Sequence, residues 1–297
     1  MDTELGDFLR SRRGGLRPEE LGLASYGSRR VPGLRREELA QLAGVSVTYY
    51  TRLEQGQSQN VSDNVLDAIA RALRLTDDEI DHLRDLAKPT RRKRANPARA
   101  EAVRPSTAQL IGAMEGVAVV AMDRRSDVLA WNALGHQLLA PHFAADSPGS
   151  AAQRPNLTRM LFLDQATRDL YVNWEDEARR SVASLRLVAG RHPDDRHLAE
   201  LIGELCMKSR FFATLWSRHP VLNCTFGVKY FAHPQVGRLE LRFEVVQMPD
   251  NSAHRMLMYA AEPGTPAEAA LRLLGRGPVD EPSESIPGVV ERSHRER

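Results

Sequence analysis

The chain of 297 residues holds only two cysteines, Cys206 and Cys224, and they are not part of a CxxC pair. Two cysteines cannot make a disulfide framework, and they leave two buried thiols as the plain reading. Long apolar runs are also missing: nothing approaches the ~18 consecutive apolar residues of a membrane-spanning helix. The opening MDTELGDFLRSRR has no basic start followed by an apolar stretch, so no secretory signal is expected. The expectation is a cytoplasmic chain with no membrane partner. Aromatics are scarce at the front. Of 8 Phe, 6 Tyr and 3 Trp, only Phe8, Tyr26, Tyr49 and Tyr50 precede residue 104, and all the tryptophans follow it.

What is present is uneven. A net charge of +2 hides two basic clusters. Arg10 to Arg36 carries eight arginines against Glu19 and Glu20, and Lys88 to Arg104 carries seven basic residues against Glu101. The chain divides into a basic first third and an aromatic-rich remainder, in line with the prior of about two domains for this length.

The first third reads as helices. Leu5, Phe8 and Leu9 recur at i, i+3, i+4, predicting a helix that stops at Gly14-Gly15. Leu39, Ala40, Leu42 and Ala43 mark an apolar face on a second, ended by Gly44. Ser46 stands where an N-cap belongs, and the next helix runs from Val47 to Gln55. Its Tyr50 and Leu53 face inward. Leu66, Ile69, Ala70 and Leu73 define a fourth helix capped by Ser62 or Asp63, and Thr76-Asp77-Asp78-Glu79 is a capping box for a fifth.

Arg36 to Gly56 is therefore two helices joined by the turn Gly44-Val45-Ser46, the helix-turn-helix arrangement. Through Glu38-Leu39-Ala40, Gly44-Val45-Ser46, Arg52, Glu54 and Gly56 the stretch from about 4 to 87 resembles the lambda-repressor-like (XRE) DNA-binding domain. The resemblance implies double-stranded operator DNA as partner, with Val47, Thr48, Tyr49 and Arg52 at the bases. An arginine there can bind guanine O6 and N7, and a threonine can touch either base type. Arg36 and Ser46 fall at phosphate positions by the same resemblance, and Glu54 corresponds to an acidic residue that pairs with a first-helix arginine, here Arg13. Residues 16 to 34 form an inserted loop with at most one helical turn, and Arg29, Arg30 and Arg35 suit phosphate contact.

Lys88 to Arg104 has prolines, basic residues and no apolar period, and it reads as a linker. From residue 105 the pattern changes. Residues 116 to 122 and 127 to 131 predict paired strands, with Asn132 capping a helix through Leu139. Helical spacing covers 157 to 163, 167 to 171, 175 to 189, 195 to 207 and a short segment to Trp216. Strands return at 225 to 231, at 238 to 245 with strict alternation, and at 256 to 261, which is apolar on both faces and so central. A turn is expected at Pro249-Asp250-Asn251-Ser252. The fold class expected is an all-α domain of five helices over 1–87, the 88–104 linker, an α+β PAS-like domain with an antiparallel sheet over 105–263, and a short Pro-capped helix with a disordered tail over 264–297.

DVLAWN at 127–132, NLTRMLFLD at 156–164, LYVNWE at 170–175, AGRHPDD at 189–195, LWSRHPV at 215–221 and HPQVGRLEL at 233–241 look like the MmyB-like ligand-binding domain. That family's members sit behind XRE domains in bacterial regulators and have been linked to fatty-acid-like molecules, so the resemblance implies an apolar effector. Pocket candidates are Trp131, Trp174, Trp216, Phe226, Tyr230, Phe243, Met256 and Met258, each of which is also an ordinary core residue. Cys224, Phe226, Val228 and Tyr230 are more apolar than the family pattern, which suits a refitted pocket, core packing or a dimer interface.

His192 to His197 gathers two histidines and two aspartates, but in a Pro-containing turn whose spacing matches no metal set. With no GxSxG, P-loop, GxGxxG or HExxH, no catalytic residue, metal or cofactor is expected. Two functions remain: a dimeric DNA-binding transcription regulator whose second domain senses a small apolar ligand, or one whose second domain is a ligand-free interaction and dimerisation module.

Overall fold

The computed structural model describes residues 4–23, 33–57, 61–87, 102–249 and 253–276. Arg29 and Arg30, most of the linker, Asp250 to Ser252 of the expected turn and the tail beyond 276 lie outside the described residues.

Five helices build the first domain. They are α1 (Glu4–Gly15), α2 (Arg36–Ala43), α3 (Val47–Glu54), α4 (Asp63–Ala72) and α5 (Asp77–Ala87). Helix α1 buries Leu5, Phe8 and Leu9 and continues through the glycines that were expected to stop it. The Leu34 N–H donates to Arg13 O at 3.1 Å, so the end of α1 is bonded rather than frayed. Gly33 lies so close to Gly14 that a Cβ there would meet its carbonyl oxygen at 2.5 Å. Pro18–Leu21 forms a single 3-10 turn. On α2 the buried stripe is Leu39, Ala40 and Ala43, while Leu42 is turned to solvent. Its position is about 100° off the center of that stripe at 3.6 residues per turn, which corrects the expected face. Gly44 takes the left-handed conformation with φ 66, where a β-carbon is disfavoured. Ser46 Oγ then accepts the Tyr49 N–H at 3.1 Å. Ser62 precedes α4 at its N-cap position without a side-chain cap hydrogen bond, and Glu79 accepts the Thr76 N–H at 2.9 Å ahead of α5.

The second domain opens with α6 (Pro105–Ala113), β1 (Ala118–Met122), β2 (Val128–Trp131) and α7 (Ala133–Leu139). Helices α8 (Leu157–Leu163), α9 (Gln165–Leu170), α10 (Trp174–Arg191), α11 (Arg196–Lys208) and α12 (Arg210–Trp216) follow. Then come β3 (Phe226–His233), β4 (Gly237–Gln247), β5 (Arg255–Ala260) and α13 (Pro266–Gly275). The five strands form one sheet in the order β2-β1-β5-β4-β3, antiparallel throughout. The strand predicted to be central, β5, is central because both of its faces are covered.

One face of the sheet packs Val120, Leu241, Phe243, Leu257 and Tyr259 against Leu138, Leu271 and Leu274 of α7 and α13. The other face sets Val119 and Ala121 against Ile111 of α6, with Met256 and Met258 alongside. Asn132 holds the corner. Its Oδ1 accepts the N–H groups of Val119 and Gly135, and its Nδ2 donates to Met114 O and Val117 O. Helices α10, α11 and α12 carry a separate apolar cluster around Val182, Leu201 and Phe212.

Helix α10 also docks on the first domain. Its Gly190 faces His82 of α5, where a Cβ would meet the ring Cε1 at 2.6 Å. Arg191 donates to Asp85 at 2.9 Å. The segment after α12 joins in: Val221 packs against the first domain's core, the Asn223 N–H donates to Asp78 at 2.8 Å, and Arg12 donates to His219 O at 2.6 Å. A Gly190→Ala variant should weaken this docking by about 1 to 2 kcal/mol, because overpacking outweighs the gain in helix propensity. Limited proteolysis across residues 88–101 checks it, with faster cleavage as the expected result.

Candidate functional site

The face of α3 that turns away from the core is open. Ser46, Val47, Thr48 and Arg52 are exposed and Tyr49 is half-buried, while Tyr50 and Leu53 are fully buried beneath them. The expected base-contacting residues therefore share one surface, and Arg35 lies exposed at the start of α2. Arg36 differs from the simple expectation of a phosphate contact, since its Nε donates to Glu54 at 2.7 Å. Its two terminal nitrogens make no hydrogen bond among the described residues.

Glu54 is the anchor of this surface. It is 0% exposed, and besides Arg36 it receives Arg13 Nε at 2.7 Å and Nη2 at 3.2 Å. Arg13 also donates to Leu34 O at 2.7 Å. The expected Arg13 pair thus exists and has a third member. Burial pushes the Glu54 carboxyl up, but the two guanidinium groups outweigh it and hold it below its ordinary value. The same carboxylate ties together the end of α1, the start of α2 and the end of α3.

In the second domain a cavity of about 120 Å³ lies between the sheet and α8 and α10. Leu157 and Leu161 from α8, Leu185 from α10, and Phe243 and Leu257 from the sheet form its apolar wall. Its polar side holds Lys229, Glu177, Arg180 and Arg255. The Lys229 ammonium bonds Glu177 at 2.8 Å and lies over the rings of Phe243, Tyr171 and Tyr259, at 4.8 Å from the first centroid.

Of the residues expected to line a pocket, Phe243 does. The others are placed elsewhere. Trp131 donates its indole N–H to Ala145 O, and Trp174 donates to Leu161 O beneath the Arg168 guanidinium. Trp216 lies 3.7 Å from the Arg186 guanidinium carbon. Phe226 and Tyr230 point outward on β3, and Met256 and Met258 belong to the α6 side of the sheet. Alternation explains the divide: Lys229 and Phe231 face in, so 226, 228 and 230 face out. The polar lining went unread in the sequence. A signal existed in Glu177, Ser181, Ser184 and Val188, which share one stripe of a helix, and in a lysine set within an apolar strand.

No group of three or more His, Cys, Asp or Glu residues suited to a metal exists among the described residues. No described helix is long and apolar enough to cross a membrane.

Comparison with known families agrees with this layout. Residues 4–83 match the helix-turn-helix domain model, covering α1 to α4 and most of α5. Residues 103–274 match the MmyB-like transcription regulator ligand binding domain, a stretch that takes in α6, the whole sheet, the cavity and most of α13. No curated protein matches the chain. The matched domains are those of a transcription regulator, one that binds DNA with its first domain and carries a ligand-binding domain behind it. With more than half of its length inside the second match, the chain belongs to the family of MmyB-like transcription regulators.

Proposed function

We propose that the protein is a sequence-specific, non-catalytic transcription regulator of the cytoplasm that reads its operator with α3 and changes its grip when a small molecule enters the second domain. The observation that carries this reading is the double role of α10. Its Glu177, Arg180 and Ser181 wall the cavity, and its Gly190 and Arg191 dock on α5 of the DNA-binding domain. A ligand that favours one setting of α10 shifts the equilibrium between two placements of the DNA-binding domain, by no more than its differential affinity for them. A fatty-acid-like effector, which the family resemblance implies, is larger than the 120 Å³ present here, so its chain extends through the open side of the pocket or widens it.

The working unit in this proposal is a homodimer, which sets two copies of α3 about 34 Å apart on a pseudo-palindromic site. The outward face of β3 and β4, with Phe226, Tyr230 and Val246 exposed, supports a self-association surface. It equally supports the second reading, in which this domain serves for interaction alone.

Replacing Arg52 with alanine should relax preference at one base pair of the half-site by about 1 to 3 kcal/mol and leave non-specific binding little changed. Gel shifts against operator variants, repeated across salt concentrations, measure this. An unaltered preference removes Arg52 from base reading. Loss of a phosphate contact, as at Arg35, should instead weaken binding to all sequences and flatten the salt slope by about 0.9.

A further inference from the structure

We propose that the outward face of β3 and β4 is a two-fold interface with a second copy of this chain, its axis crossing the strands above Leu241 and Lys229. The proposal rests on the homodimer proposed above and fixes which face and which orientation form it, so it can fail while the homodimer stands.

Helix α6 covers the β2 and β1 side of this face, where Ile111 meets Val119 and Ala121, and it leaves the β3 and β4 side exposed. Along the edge strand β3 the outward row is Phe226, Val228, Tyr230 and Ala232, with Phe226 72% and Tyr230 44% exposed. That row holds no charge, whereas an edge strand that faces water is commonly blunted by charged side chains. The next row, on β4, is its opposite: Arg238, Glu240, Arg242 and Glu244 are all exposed and alternate in sign. Arg242 lies 3.3 Å from Glu262, and the other three make no ion pair among the described residues.

A two-fold axis across the strands turns β4 antiparallel to its copy, so residues equally distant from Leu241 on either side face each other. Arg238 then meets Glu244 of the second copy and Glu240 meets Arg242, each contact made twice by symmetry. On β3, where Lys229 is the register partner of Leu241, Val228 meets Tyr230 and Phe226 meets Ala232, apolar against apolar. An axis along the strands instead sets every residue of β4 opposite its own copy, arginine on arginine and glutamate on glutamate, and the charge pattern rejects it. Stacked sheets lie about 10 Å apart with their strands crossing at about 30°, a gap that an arginine and a glutamate reaching toward each other can close. The β3 row supplies the apolar burial, and the β4 row supplies the orientation, since exposed ion pairs contribute little each.

The test is sedimentation equilibrium of the full chain, wild type against Arg238→Glu and Glu244→Arg. These residues stand about 20 Å apart along one strand, so within a single chain neither change can compensate for the other. Wild type should be a dimer at about 10 µM. Each single variant brings like charges together at two symmetric points and should weaken the dimer about tenfold. An equal mixture of the two variants restores opposite charges at both points, and so does the double variant; each should return to within about threefold of wild type. Tyr230→Asp, an independent change in the apolar row, should leave a monomer. A wild-type monomer overturns the interface and the homodimer together. A dimer that the single variants or Tyr230→Asp do not weaken, or that neither the mixture nor the double variant recovers, overturns this face and leaves the homodimer standing.

Discussion

Glu54→Met is expected to destabilise the DNA-binding domain by about 3 to 5 kcal/mol, enough to abolish operator binding along with the fold. Two guanidinium groups converge on this fully buried carboxylate, and its removal strands Arg13, whose side chain is 12% exposed, with a single carbonyl partner at Leu34. The cost comes from the uncompensated charge rather than from the lost attraction. A double variant, Arg13→Met with Glu54→Met, should therefore recover much of the loss. Urea unfolding followed by circular dichroism measures both. Because the carboxyl is held below its ordinary value, its contribution is present above the usual glutamate range near ~4.3 and disappears as the pH falls below it.

Acidification should also loosen the contact between the domains, through His82. This imidazole is 2% exposed, stands edge-on to Phe8, and has an unpartnered Nδ1. Burial lowers its pKa to about 4, aided by Arg186 of α10, opposed by Asp85 of its own helix, with Arg12 of α1 and Arg191 of α10 adding to the lowering. The folded chain keeps the ring neutral where the unfolded chain, near ~6.5, takes up a proton. Stability from the neutral ring is thus complete above about pH 6.5 and drains away between there and pH 4, roughly 3 kcal/mol in all and about 2 by pH 5. His82→Leu should remove that slope. Thermal melting at pH 7 and pH 5, wild type against variant, isolates His82 from His219, which burial and Arg186 also lower to about 4. An identical pH dependence in the two proteins rejects the assignment.

Much of the fold can be read from local chemistry. Gly44 and Ser46 mark the turn because a left-handed residue and an N-cap act within a few residues of themselves. Leu239, Leu241 and Phe243 reveal their strand by alternation, and residues 256 to 261 show their central place by being apolar on both faces. The cavity is a different kind of feature. Whether Lys229 or Tyr230 points inward depends on the register of β3 against β4, which is set far along the chain from either residue. The three tryptophans drew attention as pocket residues because they are large, yet each bonds or stacks on its own surroundings. The docking of α10 on α5 was equally hidden, since Gly190 and His82 are unremarkable until they are placed against each other.

The length of α10 has a mechanical consequence. Its 18 residues make a rod of about 27 Å, so a tilt of about 5° about one end carries the other through roughly 2 Å. A displacement that small breaks the 2.9 Å Arg191 to Asp85 contact but barely disturbs apolar packing nearer the pivot. The helix is a lever arm with the cavity along its shaft and the DNA-binding domain at its tip. In the homodimer proposed above, the two tips would move in opposite senses, and the spacing of the two copies of α3 would change by twice the stroke.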